Sequence, residues 1–503
     1  MKRLALVAAV AAIAMAGARG ASSAPGKLLC VGPNGGCFPQ LGPAINAAAD
    51  GDTILVAPGV YAGGITIDKS IRLRGAGAGR TLIKGGGPVV TIFRDTDPTG
   101  LNVSIDGVTI TGGVNTDQPD TSVTFGGGVS IPVTQLTEPP FNGTGATVSI
   151  SNSEITDNVV DSSTVIPPGF CGSRACGFNE GGGIDNGGVL TLTNVRVTNN
   201  TAGSTPTTVS PASDAWSGGI DNKAPGTLVM RNSVVTGNRA VVNSPIANGA
   251  DAGGIGSAGA IDLESSVIGN NTAQFAGSVV ENSDENADAG GVFLDEDDAA
   301  PNAPATLQNL QITGNRAVST NTSAGSNPGA FGGGVVAFRS GSFDHVLLQG
   351  NSVVVNGTAS AIADGGGMEV DAPVTMTDSL VTLNSLTVNA PGGAIGVGGG
   401  IAMFGGDLTL VRTAVLANAV STHGGATQSF PPGSYGGGIS NGAPAALDVP
   451  AAHLTLTNSV VSGNLLSGSQ GYALQGGGVY NAGTVARTAS SISGNRPDDC
   501  FGC

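Results

Sequence analysis

From about residue 126 to the C-terminus the chain repeats one pattern of apolar and polar positions. Two or three glycines precede an aliphatic residue, a short stretch then alternates, and an asparagine stops it. The copy at 181–200, GGGIDNGGVLTLTNVRVTNN, shows it best: Leu190, Leu192, Val195 and Val197 are apolar, with Thr191, Thr193, Arg196 and Thr198 between them and a bend at Asn194. Period-two alternation over so few residues predicts three very short strands per unit, separated by bends. The aliphatic positions are Val129, Ile184, Ile220, Ile255, Val292, Val335, Met368, Ile401, Ile439 and Val479, spaced 33 to 43 residues apart after one gap of 55. The stopping asparagines are Asn158, Asn200, Asn238, Asn270, Asn315, Asn351, Asn384, Asn418, Asn464 and Asn495.

No such unit can bury its apolar face alone, but stacked units can. Each strand then pairs with its counterpart one coil away, at about 4.8 Å, and the inward aliphatics form a continuous column. Asparagine suits the bends because it tolerates left-handed backbone angles and its amide can bond to the next coil's copy. A second polar column lies six residues earlier: Asn152, Asn194, Asn232, Asn309 and Asn458, with Glu264, His345, Asp378 and Arg412 in the same place. Two such columns predict a coiled solenoid. A propeller would need four longer strands per repeat with their own signature, which this chain lacks.

The N-terminal part has other jobs. Residues 1–24 read as a secretory signal: Lys2 and Arg3, an apolar run from Leu4 to Ala16, then small residues with Ala-x-Ala options. That run is too short for a confident membrane span. Residues 25–50 read as a cap with an amphipathic helix over 39–49, in which Leu41, Ala44, Ile45 and Ala48 share a face and Asp50-Gly51 ends the helix. The helix would cover the open end of the core, whose strand edges are otherwise unpaired. Residues 51–125 read as first coils (TILVA, GITI, SIRLRG, TLIKG, with Pro58-Gly59 as a turn), 126–495 as the repeated coils, and 496–503 as a Cys-x-x-Cys end.

The stretch AINAAADGDTILVAPGVYAGGITIDKSIRLRGAG resembles the N-terminal cap and first coils of right-handed parallel β-helix proteins of the pectin lyase-like superfamily. The GG-x-Ile … Asn units are similar to repeats of polymorphic outer-membrane proteins. The resemblance covers roughly 38–495 and implies an all-β, single-stranded right-handed parallel β-helix with an N-terminal capping helix. The superfamily includes pectate lyases, polygalacturonases, methylesterases, epimerases, tailspikes and adhesins, so the resemblance specifies a fold rather than an activity.

Composition narrows the function. Among 503 residues there are 84 glycines, 36 acids, 20 lysines and arginines, and three histidines, for a net charge of −16. Loss of Lys2 and Arg3 with a leader would take this to about −18, which disfavours nucleic acid and anionic membrane as partners. The cysteines fall in three close pairs, Cys30/Cys37, Cys171/Cys176 and Cys500/Cys503, which in an exported protein read as short-loop disulfides. Polygalacturonase-like fragments, Asn115-Thr116-Asp117 and Thr422-His423-Gly424, lie some 300 residues apart, and the Arg-x-Lys that should accompany them is missing.

Three features could carry chemistry. Asp185 and Asp221 each follow an inward isoleucine, so they are expected to point outward, one coil apart, at a spacing that would suit a retaining glycosidase; two solvated turn acids are the plainer alternative. Four residues before the repeat's aliphatic position stands the column Phe125, Glu180, Trp216, Asp251, Asp288, Phe331, Asp364, Val397, Tyr435 and Gln475. There Trp216, Phe331 and Tyr435 could stack on sugar rings while Asp251 and Asp288 accept hydroxyl hydrogens; loop anchoring is the other reading. The acid run at 281–298, with Asp295, Asp297 and Asp298, could hold calcium, or could be a solvated loop. Between each stopping asparagine and the next glycines, variable segments are expected to decorate one side of the solenoid as loops. The expectation is therefore a secreted or cell-surface protein, without stable membrane insertion, that binds polysaccharide or another surface; a polysaccharide hydrolase or lyase is the alternative.

Overall fold

The computed structural model describes residues 26–96, 98–116, 123–132, 145–161, 177–204, 213–244, 249–277, 286–296, 303–321, 328–425, 432–444 and 452–503. The expected leader, Cys171, Cys176, Asp117, Asp297 and Asp298 lie outside these residues. Every strand pairing is parallel and runs one coil to the next, which makes the molecule a parallel β-helix. Five sheets result. In chain order around a coil, sheet I has 14 strands, from Leu28–Val31 to Thr484–Thr488, and sheet II has 13, from Gly59–Ala62 to Ser491–Ser493. Sheets III and IV have 10 each, from Val114–Asn115 to Leu465–Gly468 and from Val123–Phe125 to Ala473–Gln475. Sheet V has 13, from Ile65–Ile67 to Cys500–Phe501.

The first coils use only sheets I, II and V, the three strands that the alternation predicts. From Val114 onward two strands are added per coil, and this corrects the expectation of loops. The segments after the stopping asparagines begin and end as strands of sheets III and IV, for example Thr201–Ser204 and Ser213–Trp216. They enclose a second, narrower core in which Ala215, Ala240, Ala250, Ala273 and Ala287 are buried with Val242 and Phe275. The main core, of Leu190, Leu192, Val197, Ile184 and their stacked counterparts, lies among sheets I, II and V.

The asparagine at each II–III bend sits between the two cores and is fully buried in most coils. Its amide donates to the amide oxygen of the next coil's asparagine at 2.9–3.1 Å, from Asn158 through Asn200 and Asn238 to Asn464 and Asn495. The same oxygen also accepts the preceding asparagine's backbone N–H, as when Asn238 bonds to Asn271 at 3.0 Å. The ladder ends on a carboxylate, Asp499 Oδ1, 3.1 Å from Asn495 Nδ2. One rung differs from expectation: Asn271, not Asn270, carries it. Asn270 is the preceding residue, in the left-handed region at φ 53°, and in the same coil the earlier bend falls at Ser265, φ 52°, rather than Glu264.

Glycines make this arrangement possible. The IV–V turn presses on the asparagine bend, so a β-carbon on Gly182 would lie 2.4 Å from the Gly218 carbonyl oxygen, and one on Gly183 would lie 2.8 Å from Asn200 Nδ2. The coil is therefore pinched between its two cores.

At the N-terminal end the helix is shorter than predicted, Leu41–Ala47, but its expected face holds, with Leu41, Ala44 and Ile45 buried over the first strands. Pro58-Gly59 leads straight into the strand Gly59–Ala62. Disulfides join Cys30 to Cys37 and Cys500 to Cys503. Among the described residues no helix is long and apolar enough to cross a membrane.

Asn271→Ala removes the acceptor of two Asn238 donors and the donor to the Val235 carbonyl. Leaving these buried groups unpaired should cost about 3 kcal/mol or more. Asn270→Ala should cost about 1 kcal/mol, since Ala417 already occupies that position in its own coil at φ 55°. Chemical denaturation of the two variants compares them directly; equal losses would contradict the assigned register.

Candidate functional site

Each strand of sheet IV ends on an outward residue, and the middle residue of the sheet V strand, five positions later, also points away from the main core. In a convex corner such side chains would diverge. Here they touch: Val397 packs with Ala402 and Phe331 with Val336, so the IV–V corner is re-entrant, forming a furrow that follows the long axis. The pairing register confirms the predicted column rung by rung, from Phe125 opposite Glu180 to Tyr435 opposite Gln475. Trp216, Asp251, Asp288 and Phe331 are half-buried. Tyr435 is not available for stacking on a ligand: it is 2% exposed and packs edge-on against Tyr480, ring centroids 5.2 Å apart.

Asp185 and Asp221 do pair across adjacent strands of sheet V. They point away from the core as expected, yet they do not reach open water, being 1% and 6% exposed. The alternation fixes which side of the strand they occupy; the concavity of the corner then buries that side. Lys223, two residues beyond Asp221 and hence on the same side, sits over them. Its Nζ is 2.6 Å from Asp185 Oδ1 and 2.5 Å from Glu180 Oε2, and it lies 3.4 Å from the Phe125 ring centroid. Ser217 Oγ donates to Asp221 Oδ1 at 3.0 Å. Oxygens of Glu180, Asp185 and Asp221 all lie within 4.8 Å of one another.

Three carboxyls thus share one ammonium. Burial pushes the Asp185 carboxyl up to about 6, opposed by Lys223 and reinforced by Glu180. Burial, then Glu180, raises Asp221 well above the carboxylate range against the pull of Lys223. Burial alone would lower the Lys223 ammonium, but Asp185, Glu180 and Asp221 more than offset it and hold it charged. As a hydrolytic pair, Asp185 and Asp221 lack access to a glycosidic bond; the arrangement is that of a closed ion cluster. The sequence signal for Lys223 was the period-two spacing of Asp-x-Lys at the end of the strand Ile220–Asn222.

Farther along the furrow, Arg339 is buried and reaches back to Ala258 O at 2.8 Å and Ser257 Oγ at 3.1 Å. Burial lowers its guanidinium to about 10, against the charge of Asp295. Asp295, expected as a calcium ligand, is close enough for its charge to act on this guanidinium. Burial, then Asp288, Asp214 and Asp295, raises Asp251 well above its ordinary value. Beyond Arg339 come Phe293 and Phe338, edge to face at 5.3 Å, and then the acids Asp364, Glu369 and Asp371.

No family model and no curated protein matches the chain. Among solved structures it is similar to A-modules of Azotobacter vinelandii mannuronan C-5 epimerases. The AlgE4 module is 15% identical over 90% of this chain and 92% of that one, with a TM-score of 0.28. For the AlgE6 module the values are 14%, 89%, 93% and 0.26. At TM-scores this low neither likeness carries an argument about site or activity.

Lys223→Met should destabilise the protein by about 3–5 kcal/mol near pH 8, because it leaves buried carboxyls without their cation. Since the folded-state value of Asp185 is raised, its proton is held more tightly in the folded than in the unfolded chain, and stability is lost as pH rises through about 6. The variant's deficit should therefore shrink near pH 4.5. Thermal unfolding at both pH values checks this, and a deficit independent of pH would count against the ion cluster.

Proposed function

We propose that the chain is an extracellular or cell-surface polysaccharide-binding protein, laying a sugar chain lengthwise in the furrow between sheets IV and V. The observation that carries this reading is the unbroken register of the Phe125-to-Gln475 column, which brings half-buried aromatics and acids onto one axial line. Successive positions are one strand spacing apart, about 4.8 Å, a rise comparable to that of one sugar in an extended chain. Trp216 and Phe331 offer ring faces or edges, and Asp251 and Asp288 offer oxygens to sugar hydroxyls. The net charge of −16 favours a neutral or basic polysaccharide over a polyuronate. The leader-like N-terminus and the two disulfides support export. The hydrolase reading retains one observation, the closeness of the Glu180, Asp185 and Asp221 carboxyls, and the enclosure of Asp185 and Asp221 weighs against it.

Trp216 is the sole tryptophan, so its emission reports on the furrow directly. Titrating neutral polysaccharides should shift that emission. Trp216 could supply about 1.4 kcal/mol through stacking, so Phe331→Ala and Trp216→Ala should each weaken binding by about tenfold or more. No new reducing ends should appear. Polysaccharide binding unaffected by both substitutions would remove the furrow from the proposal, and reducing ends lost in Asp185→Asn would restore the enzyme.

A further inference from the structure

Among the described residues, two trios of acids at the IV–V corner differ in one respect. In the first, Glu180, Asp185 and Asp221 surround Lys223, so the chain supplies its own cation. On the outer surface, Asp344, His345 and Asp378 also lie close together, but Asp378 is gripped by the Arg412 guanidinium at 2.6 Å on both oxygens. The second furrow cluster is Asp364, Glu369 and Asp371. No lysine or arginine acts on any of the three among the described residues; the charges that reach them are each other's and that of Asp288, two coils away in the sheet IV column.

Their surroundings make this costly. Asp364 is 3% exposed and stands between Phe331 and Val397 on neighbouring strands; Glu369 is 7% exposed, between Val336 and Ala402. Asp371 is half-buried, with Phe338 one coil before it and Phe404 one coil after. Asp364 Oδ1, Glu369 Oε2 and Asp371 Oδ2 have no hydrogen-bond donor. Buried carboxylate oxygens without donors are rare in native proteins, because each costs much of the group's hydration energy.

We propose that Asp364, Glu369 and Asp371 form a binding site for a divalent cation of the calcium type. The ligands are hard oxygens, as calcium prefers, and the half-exposed Asp371 leaves a side open for waters to complete the shell. The proposal does not depend on polysaccharide binding.

Burial, reinforced by Asp371 and Asp288, raises Asp364 well above the carboxylate range; burial, with Asp364, Asp371 and Asp288, does the same to Glu369, which lies within hydrogen-bonding reach of Asp371. Burial pushes Asp371 up to about 6, opposed by the neighbouring Glu369. A cation competes with protons for carboxylate oxygens, so its binding should strengthen with pH.

The test uses the full chain stripped of metal and titrated with calcium chloride by calorimetry, with Tm measured in parallel near pH 5 and pH 8. Near pH 8, calcium should bind and raise Tm by several degrees; near pH 5 its affinity should fall by about tenfold or more. Glu369→Gln keeps the shape of the protonated acid. It should remain folded near pH 8, where it should no longer respond to calcium. Asp364→Asn should weaken calcium binding by about tenfold or more. Absence of calcium binding near pH 8, or unchanged binding in both Glu369→Gln and Asp364→Asn, would overturn the proposal.

Discussion

The contact on which the rest of the structure depends is the one between the asparagine bend and the glycine pair, made in each of the repeated coils from Asn158 onward. It joins two cores of unequal width. On the inner side the asparagine satisfies backbone groups that the sharp II–III bend would leave unpaired. On the outer side it allows sheets IV and V to meet at a re-entrant angle, which creates the furrow. A side chain at Gly182 or Gly183 would push the two turns apart and flatten that angle.

Much of this could be read in the sequence because stacking repeats one decision many times. The asparagines, the inward aliphatics and the column from Phe125 to Gln475 all appear at fixed offsets, and a solenoid turns fixed offsets into spatial columns. The exception at Asn270 and Asn271 has a simple cause: two asparagines stand side by side, and counting alone cannot choose between them. Sheets III and IV were hidden for a different reason. Their inward positions are mostly alanine, Ala202, Ala215, Ala240 and Ala250 among them, which give little contrast with the serines and threonines between. A narrow core asks for small residues, and small residues give a weak alternation signal.

The site was half legible. Parity along a strand gave the side on which Asp185 and Asp221 lie, but not whether that side faces water, because burial there comes from the angle between two sheets. What looked like two surface acids became part of a cluster around Lys223. The same angle left Asp364, Glu369 and Asp371 in an apolar trough with no comparable partner, although locally they are unremarkable acids in short strands.

The asparagine ladder also gives the solenoid an electrical direction. Each side-chain amide donates toward the C-terminal coil and accepts from the N-terminal one, so the amide dipoles add head to tail as peptide dipoles do along an α-helix. Their positive end emerges at Asn495, where both the amide and the backbone N–H meet the carboxylate of Asp499. Asp499 thus stands to the row as an acidic cap stands to a helix N-terminus, and the two ends of an otherwise repetitive rod are not electrostatically equivalent.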